Sequence, residues 1–326
     1  MHVSLLLVAT IGLALTFAFA NGVHDTTALT ATAVASRSMT PRAALAVATA
    51  GNLLGGLTST AVATTVASRL IAPSAPVTLD VLVAALAGAI AWSGLTWYVS
   101  LPASASYALI GGLVGASLAA GGLGALHLRT LARLVLVPAL GAPLVALALA
   151  LGALVLASRL VRRTALARAF ATFRLAQIGT SFLLSFAHGL GDAQKTMGVI
   201  VLALVASGRQ SGGPVPAWVV VTSAATLAAG TFAGGLGRAR RRGVRIHRIE
   251  PPRAFAVQSA AALAVLYASA LGLPTSTGLA LTGASIGTAP RGRLRSLGIA
   301  AGVEILLTVL AAGLVAALVY LPLRLR

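Results

Sequence analysis

Only five acidic residues occur in this 326-residue chain, and three of them, Asp25, Asp192 and Glu304, fall inside long apolar runs. A carboxylate at the centre of a bilayer costs about 2.5–3.5 kcal/mol on insertion scales, so it faces a bundle interior, a water-filled path or an ion. Asp25 and Asp192 stand in matching stretches, Phe19-Ala20-x-Gly22-x-x-Asp25 and Phe186-Ala187-x-Gly189-x-x-Asp192. Carboxylate, hydroxyl and carbonyl oxygens there suit a hard cation such as Na+; a carboxyl group alone serves a proton. Glu304 has no counterpart in the first half and reads as a structural carboxylate.

A second set of residues suits an anion. Ser104-Ala105-Ser106 follows Leu101-Pro102, and Thr275-Ser276-Thr277 follows Leu273-Pro274. Each is succeeded by small and apolar residues that form helix, which predicts a hairpin whose second helix starts at mid-depth. Exposed N–H groups at such a start attract anions, helped by the helix dipole and nearby hydroxyls. Lys195, the only lysine, lies close to Asp192 in sequence. It either lends positive charge to an oxyanion pocket or pairs with Asp192.

The elements that must hold these groups are membrane helices. Hydrophobic residues make up 58% of the chain and charged residues 9%, against about 25% charged in soluble domains. That much apolar surface has to face lipid, and its length predicts about 10–12 membrane segments at ~20 residues each. The net charge of +19 sits in connectors, chiefly Arg159 to Arg174 and Arg238 to Arg248. This is the pattern of cytoplasmic anchors at a lipid surface, not of nucleic-acid binding. The chain has no cysteine, which excludes disulfides and thiolate chemistry. No nucleophile–base pair or metal cluster suggests an enzyme.

Two apolar runs, 3–36 and 172–207, are too long for one crossing and are interrupted at Asn21–Asp25 and His188–Asp192. Glycines beside a carboxylate at membrane depth predict helices broken where the backbone lines a cavity. The aspartate motif is one of three that repeat in order at nearly the same separation. Ala50-Gly51-x-x-x-Gly55-Gly56-Leu57 recurs as Ala229-Gly230-x-x-x-Gly234-Gly235-Leu236. Leu101-Pro102-x-Ser104, with Gly111 and Gly115, recurs as Leu273-Pro274-x-Ser276, with Gly283 and Gly287. The chain therefore reads as an all-α polytopic membrane protein of two repeats, 1–158 and 172–326, joined by a basic linker at 159–171. Placing the connectors 37–42 and 237–251 on the cytoplasmic side gives the repeats opposite orientations, a design of secondary transporters with the substrate held between the repeats.

The run from Phe186 to Ile200, with Asp192-Ala193-Gln194-Lys195-Thr196-Met197-Gly198 at its centre, strongly resembles a signature of the inorganic phosphate transporter (PiT) family. Asn21 to Ala28 resembles that family's first-repeat signature, and Leu101 to Tyr107 and Leu273 to Leu279 resemble its hairpin motif. The resemblance implies inverted repeats, a homodimer in the plasma membrane, and symport of inorganic phosphate with Na+ or H+ by alternating access. Some bacterial members carry neutral metal–phosphate complexes. Read this way, Asp25 and Asp192, with Asn21, His24 and Gln194, hold the coupling cation, with Na+ at the two aspartates. Ser104, Ser106, Ser276, Thr277 and Lys195 hold phosphate. No other cofactor is implied.

The chain departs from the family pattern at several of these positions. His24-Asp25 and Gly191-Asp192 stand where Asn-Asp is usual, and the hairpins read Ser-Ala-Ser-Tyr and Ser-Thr-Gly-Leu instead of Ser-Thr-Thr-His. His24 either carries the coupling proton, a role open to an imidazole, or fills the place of the missing Asn as a hydrogen-bonding group. The rival readings are a carrier of another oxyanion, such as sulfate, or of a metal complex, and an oxyanion sensor that does not transport.

Overall fold

The computed structural model describes residues 4–69, 77–99, 101, 103–126, 128–211, 213–241, 249–289 and 294–325. The expectations for Pro102 and for the arginines at 242–248 lie outside these residues. The first half contains α1 (Leu5–Ala35), α2 (Pro41–Gly56), α3 (Ala61–Arg69), α4 (Leu79–Val99), α5 (Ala105–Gly121), α6 (Leu128–Leu131) and α7 (Val137–Arg162). The second half contains α8 (Leu166–Ala206), α9 (Ala217–Arg241), α10 (Pro251–Ala270), α11 (Thr277–Gly287) and α12 (Leu294–Leu323). No strand occurs among the described residues.

Eight described helices are long and apolar enough to cross a membrane, and a ninth crossing arises if α2 and α3 are one bent span. The count is below the expected one because α11 has only 11 residues, about 16 Å at 1.5 Å per residue. The anticipated basic linker is also mostly helix. Arg159 and Arg162 lie in the last turn of α7, and α8 begins at Leu166. Arginines at a helix C-terminus complement its negative dipole end.

The helix breaks fall elsewhere than the sequence suggests. Helix α1 runs unbroken through Asn21–Asp25, and α8 runs unbroken through His188–Asp192. Their glycines serve close packing instead. A β-carbon on Gly22 would lie 2.3 Å from the carbonyl oxygen of Leu227, and one on Gly189 would lie 2.2 Å from that of Asn52. Because the helical hydrogen bonds are kept, no freed carbonyls surround the two aspartates. The real interruptions are a 63° bend between α2 and α3 and the extended tips before Ser104 and Ser276.

Both halves interlock through these small residues, the usual currency of helix contact in lipid. Helix α2 lies on α8, with Gly55 against the carbonyl of Phe186, and α9 lies on α1, with Gly230 against the carbonyl of Phe19. Likewise Gly111 and Gly115 of α5 face Val309 and Gly313 of α12, while Gly283 and Gly287 of α11 face Pro143 and Leu147 of α7. Each half thus lends its glycine helix and its hairpin helix to the other. This exchange brings α1 and α8, with their aspartates, to the centre.

Candidate functional site

At that centre the matching residues of the two halves meet one another. Asn21 Nδ2 of α1 donates to Asp192 Oδ2 of α8 at 3.0 Å. The equivalent contact in the other direction joins His188 of α8 to Asp25 of α1, Nε2 to Oδ2, at 3.1 Å. His188 Nε2 also lies 3.1 Å from Asp192 Oδ2, so one imidazole nitrogen faces both carboxylates. His24 Nδ1 is 2.8 Å from the second oxygen of Asp25. One step further out, His188 Nδ1 faces Asn52 Oδ1 at 2.8 Å, and Asn52 Nδ2 donates to Thr231 Oγ1 at 2.7 Å. Asn52 and Thr231 occupy the same place in the repeated glycine motif.

The cluster extends from there to the hairpin tips. Lys195, one turn past Asp192 on α8, donates to Asp192 Oδ1, to Ser106 Oγ of α5 and to the carbonyl of Thr275. Ser106 Oγ in turn lies 3.2 Å from the Thr275 carbonyl. Lys195 is fully buried, and its ammonium therefore joins the acid cluster to both tips in a medium where a lone charge is costly. Ser104 and Ser276 cap α5 and α11 through the amides of Tyr107 and Leu279. The start of each hairpin helix thus sits at the tip, as the sequence predicts. Thr277 Oγ1, Tyr107 Oη and Asn21 Oδ1 are buried and make no hydrogen bond. Such unspent polar groups at a membrane centre are unusual and suit a ligand or water.

Placement of the expected residues is uneven. Asn21, His24, Asp25, Asp192 and Lys195 converge, and Ser106 joins them through Lys195. Gln194 does not. Its Oε1 accepts from the amides of Val62 at 2.6 Å and Ala63 at 3.3 Å, which caps the start of α3 and holds the bend after α2. Residues at i and i+1 on a helix point in different directions, which explains why Gln194 leaves the site that Lys195 and Asp192 share. Glu304, expected to be merely structural, lies on α12 within electrostatic reach of Asp25, His24 and Tyr107. His188, Asn52 and Thr231 are functional candidates that the sequence reading passed over. Their signal was available: His188 is the counterpart of Asn21, and Asn52 is the counterpart of Thr231. One ligand atom each from Asp25, His188 and Asp192 all lie within 4.8 Å of one another, so these three residues could also hold a metal ion.

Fold and site together define a class, a multi-pass helical membrane transporter with a polar centre buried between its halves. The model of the phosphate transporter family matches residues 21–320, and the chain belongs to that family. A probable low-affinity inorganic phosphate transporter of Rhizobium meliloti is 38% identical over 97% of this chain and 96% of its own length. One from Mycobacterium bovis is 42% identical over 87% of this chain and 68% of its own. A solved structure, the sodium-dependent phosphate transporter, matches with a TM-score of 0.83 at 22% identity, covering 99% of this chain and all of that one. This last likeness is one of fold. Neither the family nor the fold is that of an enzyme.

Proposed function

We propose that this protein is a plasma-membrane symporter that moves inorganic phosphate with Na+ or H+ by alternating access, and that it works as a homodimer. The observation that carries this reading is the position of Lys195, shared between Asp192 and the two hairpin tips. Phosphate would bind at the tips, among Ser104, Ser106, Ser276 and Thr277, with the first amides of α5 and α11 and the Lys195 ammonium as donors. That geometry suggests how two ligands become coupled. A phosphate at the tips draws Lys195 toward itself and away from Asp192. The acid cluster of Asp25 and Asp192, with Asn21, His24 and His188 beside it, is then short of positive charge, and a cation fills the deficit. Each ligand favours the other, and the coupling is reciprocal.

Uptake of radiolabelled phosphate into proteoliposomes under imposed Na+ and pH gradients tests this. Accumulation driven by one gradient supports symport and identifies the ion. Equilibration indifferent to both gradients rejects symport, and no uptake at all favours the oxyanion sensor. Competition by sulfate reports on other oxyanions. A second reading rests on the grouping of Asp25, His188 and Asp192. A nitrogen ligand beside two carboxylates suits a divalent transition metal better than Na+, so the cargo would be a metal–phosphate complex. Uptake abolished by a chelator and restored by divalent metal is the result that favours it.

A further inference from the structure

The polar file on α8 does not end at the ion cluster. Toward the start of the helix it continues through Ser185, Ser181 and Gln177 on the face that carries His188 and Asp192, and all of these are buried. From Gln177 to Asp192 the file covers about 22 Å at 1.5 Å per residue, most of a ~30 Å hydrocarbon core. Gln258 of α10 closes over it. Its Oε1 accepts from Gln177 Nε2 and, at 2.8 Å, from Ser181 Oγ, while its Nε2 donates to the Leu29 carbonyl of α1 at 3.4 Å. Gln177 Oε1 is buried and has no hydrogen-bond partner.

The duplication supplies an internal control. At the matching positions α1 carries Thr10, Ala14 and Ala18, and the counterpart of Gln258 on α4 is Leu86. Ala14, Ala18 and Leu86 are as deeply buried as Ser181, Ser185 and Gln258, so packing at these positions needs no polar side chains. Nor does adhesion account for them. A hydrogen bond between membrane helices is worth on average only about 0.6 kcal/mol, and an unpaired buried acceptor costs about 1–3 kcal/mol. Polar lining is required of a surface that is wet in another state.

We propose that the α8–α10 seam, lined by Gln177, Ser181, Ser185 and Gln258, is an access path closed in this structure. It opens to water on the membrane side where α8 begins and delivers the coupling cation or proton to His188 and Asp192. Neutral amide and hydroxyl oxygens solvate a passing cation without trapping it, as a charged lining would. The α1–α4 seam, with Ala14, Ala18 and Leu86 at the positions of Ser181, Ser185 and Gln258, stays dry. This assignment rests on the cation-coupled reading above.

Because the chain has no cysteine, single cysteines report on water access without background. Ser181→Cys and Ser185→Cys, in proteoliposomes treated with a cationic, membrane-impermeant thiosulfonate, are compared with Ala14→Cys and Ala18→Cys. Thr164→Cys, exposed between α7 and α8, is the positive control. The expected result is modification at 181 and 185 about tenfold faster than at 14 and 18, a difference of about 1.4 kcal/mol in opening the seam. Adding Gln258→Leu slows the reaction at 185. Equal rates at all four positions, or none at 181 and 185 while the control reacts, overturns the proposal. Labelling is read without transport, so a failed seam and a failed symport reading, visible only in uptake, are told apart.

Discussion

Asp25 and Asp192 are twins by position in the two repeats, yet their surroundings differ. The Asp192 side chain is 3% exposed and carries its own counter-ion, Lys195, with Asn21 and His188 completing its shell. The Asp25 side chain is 18% exposed and has the two imidazoles of His24 and His188 beside it, with no lysine or arginine bridge among the described residues. The position matching Lys195 in the first half is Ala28, which has no charge to offer. The repeat therefore carries two acids, and only Asp192 has a lysine one turn along its own helix. On the proposed reading, Asp25 is the more open of the two acids to an incoming cation, and Asp192 is the one tied to the hairpin tips through Lys195.

The sharpest way to break this contrast is to neutralise each acid in turn. Asp192→Asn leaves the buried Lys195 ammonium without its carboxylate, a change that costs about 3–5 kcal/mol for a buried pair. A large fall in thermal stability in detergent and loss of phosphate uptake are expected. Asp25→Asn should leave the melting temperature much closer to that of the unaltered protein. Equal destabilisation by the two changes would show that the acids are equivalent and that Lys195 does not distinguish them.

The next contrast lies between the packing pairs that bring the acids together. A β-carbon on Gly55 would lie 2.0 Å from the Phe186 carbonyl, and one on Gly230 would lie 2.1 Å from that of Phe19. Gly55→Ala and Gly230→Ala are each expected to destabilise by about 1–3 kcal/mol, the cost of forcing an extra methyl into a filled contact. Gly141→Ala, where nothing lies within 4 Å, should be neutral. Thermal unfolding of the three variants checks this. A harmless Gly55→Ala would mean the halves are not locked through their glycines.

A last contrast, without any expected change in ion dependence, separates Gln194 from its neighbour Lys195. Gln194→Ala removes the acceptor for two amides at the start of α3 and should cost about 1–3 kcal/mol while leaving the ion dependence of uptake intact. A changed cation preference in this variant would return Gln194 to the coupling site.

Much of this centre was legible in the chain itself. Charged residues are so scarce that Asp25, Asp192 and Lys195 identify themselves, and Leu-Pro followed by hydroxyls marks the hairpin tips. What escaped were His188, Asn52 and Thr231, whose roles depend on contacts between residues far apart in sequence. Asn52 stands at an unassigned position of the repeated glycine motif, and only the crossing of α2 onto α8 turns it toward His188. The glycines beside the aspartates misled for a related reason. A glycine weakens a helix on its own, but here it admits a neighbouring backbone, and the contact keeps the helix intact. Sequence alone does not distinguish a break from a close approach.

In the proposed cycle, Asp25 binds the coupling cation while phosphate is held at the hairpin tips through Lys195. The most direct measurement sets phosphate exchange against gradient-driven accumulation for Asp25→Asn in proteoliposomes. The expected result is that labelled phosphate still exchanges across the membrane but no longer accumulates against its gradient. Accumulation at the unaltered rate, with the same dependence on the driving ion, would contradict the claim.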